Sequence, residues 1–147
     1  MSMKTIVAAI DFSDSTPGVL QAATQQAKAF GAGLHLIHVL EPEPAYTAYG
    51  FTPDEFPAMH VFQQEARKRA SQRLEEVASD YPGVTTSLLE GSPLPGILGY
   101  IEQVHADFVI LGSHGHGMVA SLLLGSVAEG MVRKAVIPTL VVPVGQS

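Results

Sequence analysis

The sequence predicts an α/β fold in which one doubly wound sheet of five parallel strands carries helices on both faces. Three observations support this prediction. Short apolar runs alternate with helical patterns along the chain, in the order β-α-β-α-β-α-β-α-β. The apolar runs are nearly continuous, as in strands that are buried on both faces. The length of 147 residues suits one domain, and we therefore expect residues 1–147 to fold as a single domain.

The first three elements have recognisable ends. KTIVAAI (4–10) is a predicted strand, in part β-branched. Thr16 is a candidate N-cap, with Pro17 at the first helical position, where the missing N–H of proline costs nothing. This helix is expected to end at Gly31, a residue type suited to the position after a helix. LHLIHVL (34–40) is the second predicted strand.

An irregular loop and a second helix follow. Residues 41–57 carry four prolines and four aromatic residues. This composition predicts a loop long enough to be a lid or a partner surface, or one whose aromatic residues pack on the domain's own edge. A helix is predicted over 60–81 and is broken by Pro82-Gly83. Its apolar face consists of Ala66, Ala70, Leu74, Val77 and Tyr81.

The second half of the chain repeats this alternation. VTTSLLE (84–90) is a strand, and Ser92 is the N-cap of a helix with Pro93 at its first position. The buried stripe of this third helix consists of Ile97, Leu98, Ile101 and Val104. The remaining elements are a strand over 107–113, a helix from about 126 to 135 and the last strand TLVVPV (139–144).

Composition argues against several functions. The net charge of −6 lacks the basic footprint of a nucleic-acid-binding protein. The chain has no cysteine, and therefore no disulfide, thiolate nucleophile or cysteine-based zinc site. No segment approaches the roughly 20 apolar residues of a membrane span, and the N-terminus does not have the pattern of a signal peptide. We therefore expect neither nucleic acid nor membrane as a partner.

The basic residues cluster in the second helix, where they alternate with glutamates. We interpret this cluster as a solvated helix face and not as a binding patch. The residues concerned are Arg67, Lys68, Arg69 and Arg73, with Glu65, Glu75 and Glu76.

Two features fall at carboxyl ends of predicted strands. Asp11 follows the first strand and Gly112 ends the fourth. Ligands of open parallel sheets bind at the carboxyl ends of the strands, at the point where the strand order reverses. If these two strands are neighbours there, one carboxylate faces one glycine-rich loop.

The glycine-rich segment 112–126 reads GSHGHGMVASLLLGS. Gly112, Gly115 and Gly117 lack a Cβ, so the backbone can turn tightly and approach a ligand closely. Ser126 and Val127 then begin a helix, whose free N–H groups and positive dipole end favour an anion. A glycine loop, a helix start and a carboxylate that accepts ribose hydroxyls together predict a nucleotide site. The P-loop pattern is absent, and the dinucleotide pattern matches only partly, in GHGMVA (115–120).

The order and spacing of these residues resemble a known family. Gly112-x2-Gly115-x9-Gly125-Ser126 is similar to the ATP-binding signature of the universal stress protein family. The resemblance extends over the whole chain, through IVAAIDFS, LHLIHVLEP, EGSPLPGI, VILGSHGHG and LLLGSVAEGMVRKAVIPTLVVP. It implies a Rossmann-like fold of the adenine nucleotide alpha hydrolase-like type.

The resemblance also implies the role of each site residue. Ala9 and the backbone of Val39 would line the adenine pocket, Asp11 would bind the ribose, and Gly112 would lie beneath it. The phosphates would be held by Gly115, Gly117, Gly125, Ser126 and Val127, the backbone of His116 and the imidazoles of His114 or His116. The implied ligand is ATP, or AMP or ADP, with Mg²⁺ or Mn²⁺. Also implied are a homodimer built by the C-terminal strands, a cytoplasmic location and a role in stress response as a regulator or chaperone-like partner.

Other interpretations of the same residues remain open. Asp11 can brace the turn into the first helix, and Ser126 with Glu129 has the spacing of a capping box. His114 and His116 are expected to be loop histidines and not metal ligands, and His35 and His38 to be packed or edge-facing. No nucleophile with its base is apparent, so at most slow ATP hydrolysis is expected. The alternatives are a nucleotide-free interaction module that uses the loop 41–57, or a weak ATPase.

Overall fold

The computed structural model of the chain describes residues 2–42, 57–115 and 124–144. His116, Gly117 and most of the predicted irregular loop 41–57 lie outside the described residues.

Five strands form one parallel sheet, as predicted. They are β1 (Thr5–Ala9), β2 (Gly33–Leu40), β3 (Thr85–Glu90), β4 (Phe108–Gly112) and β5 (Thr139–Val142). Their order across the sheet is β3-β2-β1-β4-β5, and every neighbouring pair is parallel. The chain winds outward from β1 to β3, crosses back to β4 beside β1, and then winds the other way. The strand order therefore reverses between β1 and β4.

Four helices cover the two faces of this sheet. They are α1 (Thr16–Phe30), α2 (Pro57–Ala78), α3 (Pro93–Val104) and α4 (Ser126–Lys134). On one face, Val19 of α1 and Leu74 of α2 pack with Leu36 of β2. On the other face, Ile97 of α3 and Met131 of α4 pack with Val39 of β2. Alternate residues of one strand thus serve two separate hydrophobic cores, which explains the continuous apolar runs.

The start of the first helix differs from the prediction by one residue. Ser15 is the N-cap of α1, Thr16 is already helical, and Pro17 is the second helical residue. The N–H of Thr16 donates to the carbonyl of Ser13 at 3.0 Å, because the turn that leaves β1 is tight enough to bring the helix start forward. The predicted end at Gly31 is confirmed, with φ at 63° in the left-handed region.

The other helix boundaries agree more closely. Ser92 is the N-cap of α3, and Pro93 is its first residue, as predicted. Helix α2 begins at Pro57, three residues before the predicted start, since proline is well tolerated in the first turn. It ends at Ala78, three residues before the predicted end.

A polar cluster lies between the sheet and α3. Nδ1 of His35 on β2 is 2.7 Å from the hydroxyl of Tyr100 on α3, and that hydroxyl is 3.0 Å from Oγ of Ser87 on β3. Tyr100 is buried. Burial lowers the pKa of His35 below its ordinary value of 6.5. His35 is therefore packed, as the sequence indicated.

Candidate functional site

A cleft of about 600 Å³ opens at the carboxyl ends of β1, β2 and β4, where the strand order reverses. Its walls are completed by α2 and by the first residues of α3 and α4. Its volume is in the range of small-molecule sites. The predicted site residues that line it are Ala9, Asp11, Val39, Gly112, His114, Gly115, Gly125, Ser126 and Val127. Two further predicted residues, His116 and Gly117, are not among the described residues.

Asp11 braces the turn that leaves β1. Its Oδ1 accepts hydrogen bonds from the backbone N–H of Ser13, at 2.9 Å, and from the Ser13 hydroxyl. The Ser13 hydroxyl also lies 2.9 Å from that of Ser15. The bracing role considered for Asp11 is therefore confirmed. It engages Oδ1, whereas Oδ2 faces Gly115 across the cleft.

Gly115 packs closely against this carboxylate. A Cβ built on Gly115 would collide with Oδ2 of Asp11. The absence of that atom lets the loop after β4 close against the turn after β1. The carboxylate of Asp11 and the glycine-rich loop, which the sequence predicted to face each other, are thus in contact.

Gly112 is constrained by a different neighbour. A Cβ at this position would lie 2.6 Å from Oγ and 2.7 Å from Cβ of Ser15. These separations are well below van der Waals contact, and Ser15 is buried. Gly112 therefore allows the end of β4 to pack on the N-cap residue of α1.

The start of α4 presents free backbone donors to the cleft. Gly125 is the N-cap, and its N–H donates to the carbonyl of Ser113 at 2.6 Å, which ties α4 to the end of β4. Ser126, Val127 and Ala128 form the first turn and line the cleft. The N–H groups of a first turn have no partner within their helix and attract anions.

The capping box considered for Ser126 and Glu129 is wrong. Gly125 occupies the N-cap position, so Ser126 is already the first helical residue. The carboxylate of Glu129 instead forms an ion pair with Arg133, one turn further on, at 2.9 Å. The exposed Ser126 side chain is therefore not engaged in capping the helix.

An aromatic and cationic group on the opposite wall was not predicted. The ring centroid of Phe12 lies 4.5 Å from that of His38. The guanidinium carbon of Arg73 lies 4.3 Å from the Phe12 centroid, which is cation–π geometry. His38 Nδ1 is 2.7 Å from the carbonyl oxygen of Ile10 and donates a hydrogen bond to it. All of these side chains, with Arg69, line the cleft.

This finding adds to the solvated-face interpretation of α2. Arg67, Lys68, Arg69 and Arg73 are all exposed, in keeping with that interpretation, but Arg69 and Arg73 also line the cleft. Their positions on the helix carried a signal, because residues 69 and 73 directly precede the buried Ala70 and Leu74. A helical projection places them at the border of the buried stripe. The projection cannot show that this part of α2 lies over the carboxyl ends of the strands.

The described part of the chain shows no group of three or more His, Asp or Glu side chains that could hold a metal ion. Nδ1 of His114 lies 3.0 Å from the hydroxyl of Ser113. Among the described residues, no helix is both long and apolar enough to cross a membrane.

An open parallel sheet with a glycine-lined cleft at its switch point defines the class of doubly wound ligand-binding domains. Within this class, residues 3–143 match the model of the universal stress protein family. The chain belongs to that family.

Two curated relatives support the assignment. The chain is 34% identical over 145 residues to "Universal stress protein in QAH/OAS sulfhydrylase 3'region" of Thermus aquaticus, covering 95% of this chain and 98% of the relative. It is 32% identical over 141 residues to Universal stress protein MJ0531 of Methanocaldococcus jannaschii, covering 95% and 81%.

Solved structures share the fold. The hypothetical protein MJ0577 superposes with a TM-score of 0.80 at 26% identity, with full coverage of both chains. A universal stress protein solved in complex with cAMP has a TM-score of 0.64 at 23% identity, covering 99% of this chain and 100% of that one. At this identity, the similarity to the cAMP-bound protein shows a shared fold.

Proposed function

We propose that this protein binds an adenine nucleotide, ATP or its relatives ADP and AMP, in the cleft between β1 and β4. The observation that carries the proposal is the contact of Gly115 with Asp11, opposite the free N-terminus of α4. A carboxylate, a glycine-containing loop and a helix start then surround one cavity. A nucleotide has the matching parts, namely a ribose diol and a phosphate chain. The cAMP complex of a family member agrees with this ligand class.

In this proposal the sugar and base lie over β1 and β2. Oδ2 of Asp11 accepts the ribose hydroxyls while Oδ1 keeps its bonds to Ser13. Gly112 lies beneath the ribose. The backbone of Val39 meets the edge of the adenine, and Ala9 lines the same pocket.

The phosphates extend toward α4. The backbone of Gly115, with His114 and the neighbouring His116 and Gly117, holds the first phosphates. Gly125, Ser126 and Val127 hold the terminal ones with the free donors of the first turn. A Mg²⁺ or Mn²⁺ ion would be held mainly by phosphate oxygens, with the exposed Ser126 hydroxyl as a further ligand. The ion would neutralise phosphate charge.

Binding without dedicated catalysis is the activity that these residues support. Asp11 is the carboxylate next to the glycine loop, and in this proposal it faces the sugar, far from a terminal phosphate. Hydrolysis is therefore slow at most. We further propose that residues 1–147 act as one cytoplasmic domain, a homodimer joined through β5, and that the nucleotide state controls a regulatory or chaperone-like role in stress response.

Mass spectrometry of the supernatant from freshly purified, heat-denatured protein tests the proposal. The expected result is adenine nucleotide at near-equal stoichiometry with the protein, or binding in a titration with nucleotide and Mg²⁺ after stripping. Absence of both contradicts nucleotide binding. The loop 41–57, the basis of the alternative interaction module, would then be the segment to probe with partners.

A further inference from the structure

The phosphate side of the cleft lacks a permanent positive charge of its own. Residues 113–127 read SHGHGMVASLLLGSV and contain neither lysine nor arginine. The whole chain has a net charge of −6, so it supplies no general attraction for an anion. Without a bound divalent ion, side-chain cations that neutralise a polyphosphate here must come from another element.

Helix α2 supplies two such cations on the opposite wall. Of its neighbouring basic residues, Arg67 is paired with Glu90 on β3 at 3.0 Å. Arg69 and Arg73 instead line the cleft. Among residues 2–42, 57–115 and 124–144, no carboxylate forms an ion pair with either of them. Two guanidiniums without a counter-ion thus face a cavity that already holds a helix N-terminus.

Arg73 is held in place by an aromatic ring. Its guanidinium lies 4.3 Å from the centroid of Phe12, which in turn packs on His38. Phe12 has φ at 62°, in the left-handed region that a residue with a bulky side chain rarely adopts. Strained backbone of this kind clusters at ligand sites. Because Phe12 follows Asp11 directly, the cation is held one residue from the carboxylate that meets Gly115 of the proposed phosphate loop.

We propose that Arg69 and Arg73 bind the phosphate groups of the nucleotide and make affinity rise with phosphate number. This inference rests on the proposed function. A guanidinium offers a planar fork of donors that suits a phosphate, and bonds between two ionised groups are stronger than neutral ones. The glycine loop and α4 hold the phosphate chain on one side, and α2 supplies the neutralising charge from the other.

Titrations of adenosine, AMP, ADP and ATP, at low salt without divalent cation, test the inference. They compare the wild type with Arg69→Gln, Arg73→Gln and the control Lys68→Gln. The control makes the same change of charge at a residue of the same helix that is equally exposed but does not line the cleft. Glutamine and arginine have similar helix propensities, so α2 is expected to persist, and circular dichroism checks this.

The expected wild-type order is ATP tighter than ADP, and ADP tighter than AMP. Each arginine variant should bind ATP about tenfold more weakly, the loss expected for one charge-assisted contact. The loss should shrink along the series to adenosine, and Lys68→Gln should bind like the wild type. Arg73→Lys, which keeps the charge, should retain the order.

Two results would overturn the inference and leave nucleotide binding standing. One is ATP affinity in both arginine variants equal to that of Lys68→Gln. The other is a loss for adenosine as large as for ATP, which would assign the arginines to the base or sugar. A wild type that binds none of the four ligands would instead overturn the proposed function and this inference together.

Discussion

At the scale of single residues, the site is built from contacts between loop residues. Asp11 holds Ser13 with one carboxylate oxygen and faces Gly115 with the other. The sequence identified both residues, because a carboxylate and a glycine at strand ends carry a clear chemical meaning. It did not identify Phe12 or His38, since a ring next to a strand end is as readily a core residue. Only the left-handed backbone of Phe12 turns its ring toward His38 and Arg73.

Gly115→Ala tests the loop at this scale. The added Cβ meets the carboxylate of Asp11, so either the carboxylate or the loop must shift, and the proposed ribose or phosphate contacts are disturbed. Nucleotide affinity is expected to fall by at least ~10-fold, the cost of one lost charge-assisted contact. Isothermal titration measures this, and circular dichroism reports the fold.

Gly99→Ala is the matched control for that change. Gly99 lies within α3, and a Cβ there meets nothing within 4 Å. The control should keep full affinity and gain up to about 1 kcal/mol in free energy of unfolding, because alanine is the better helix former. Unchanged nucleotide affinity in Gly115→Ala would contradict our account of the loop.

At the scale of elements, the sequence predicted every strand and helix of the described residues, with small shifts at their ends. Such shifts arise where local hydrogen bonds determine the first helical residue. At Ser15, the turn from β1 places the N-cap one residue earlier than predicted. The larger omission concerned α2, whose basic residues are exposed as predicted, but two of which also line the cleft. Where a helix lies over the end of a sheet depends on tertiary packing, which a helical projection of Arg69 and Arg73 does not contain.

Strand β5 has a specific unpaired edge. The N–H groups of Val109 and Ser113 donate to the carbonyls of Pro138 and Val142, at 3.1 and 2.8 Å. Backbone groups of alternate residues in a parallel strand point to the same side, so those of Thr139 and Val141 point away from β4. Within the described ranges, no strand pairs on that side of β5. An open edge of this kind is suited to pairing with a second chain, which is how we propose the homodimer forms.

Val141→Pro tests this use of the edge. Proline removes an N–H that points away from β4, so it costs no bond to that strand while it blocks the outer edge. Analytical ultracentrifugation should show a dimer for the wild type and a monomer for the variant, with circular dichroism confirming a folded chain. Phe30→Lys, at an exposed apolar residue elsewhere, should remain dimeric. A dimer that survives Val141→Pro would rule out this edge as the interface.

At the scale of the whole molecule, stability is tied to pH through the cluster of His35, Tyr100 and Ser87. Burial lowers the pKa of His35 below 6.5, so the unfolded chain takes up a proton more readily than the folded one. The stability gained from the neutral imidazole is full above pH 6.5. It is lost as the pH falls from there through the lower folded-state pKa.

Denaturant unfolding between pH 8 and pH 5 measures this effect. The free energy of unfolding of the wild type should decline below about pH 6.5, the unfolded-state pKa of histidine. His35→Asn should decline less steeply over the same range, whatever its absolute stability. The control His105→Asn, at the exposed C-cap of α3, should keep the wild-type slope. Identical slopes for wild type and His35→Asn would contradict the assignment.

The two leading glycines of the loop have different partners, and this bears on how the family signature should be used. Gly112 is fixed by Ser15, and Gly115 by Asp11. We therefore expect a relative without Asp11 to vary at position 115, but to keep glycine at position 112 as long as position 15 carries a side chain. Correlated substitutions at positions 11 and 115 in an alignment would then separate nucleotide binders from non-binders. The presence of the first glycine alone would report only that the sheet and its first helix are packed in the usual way.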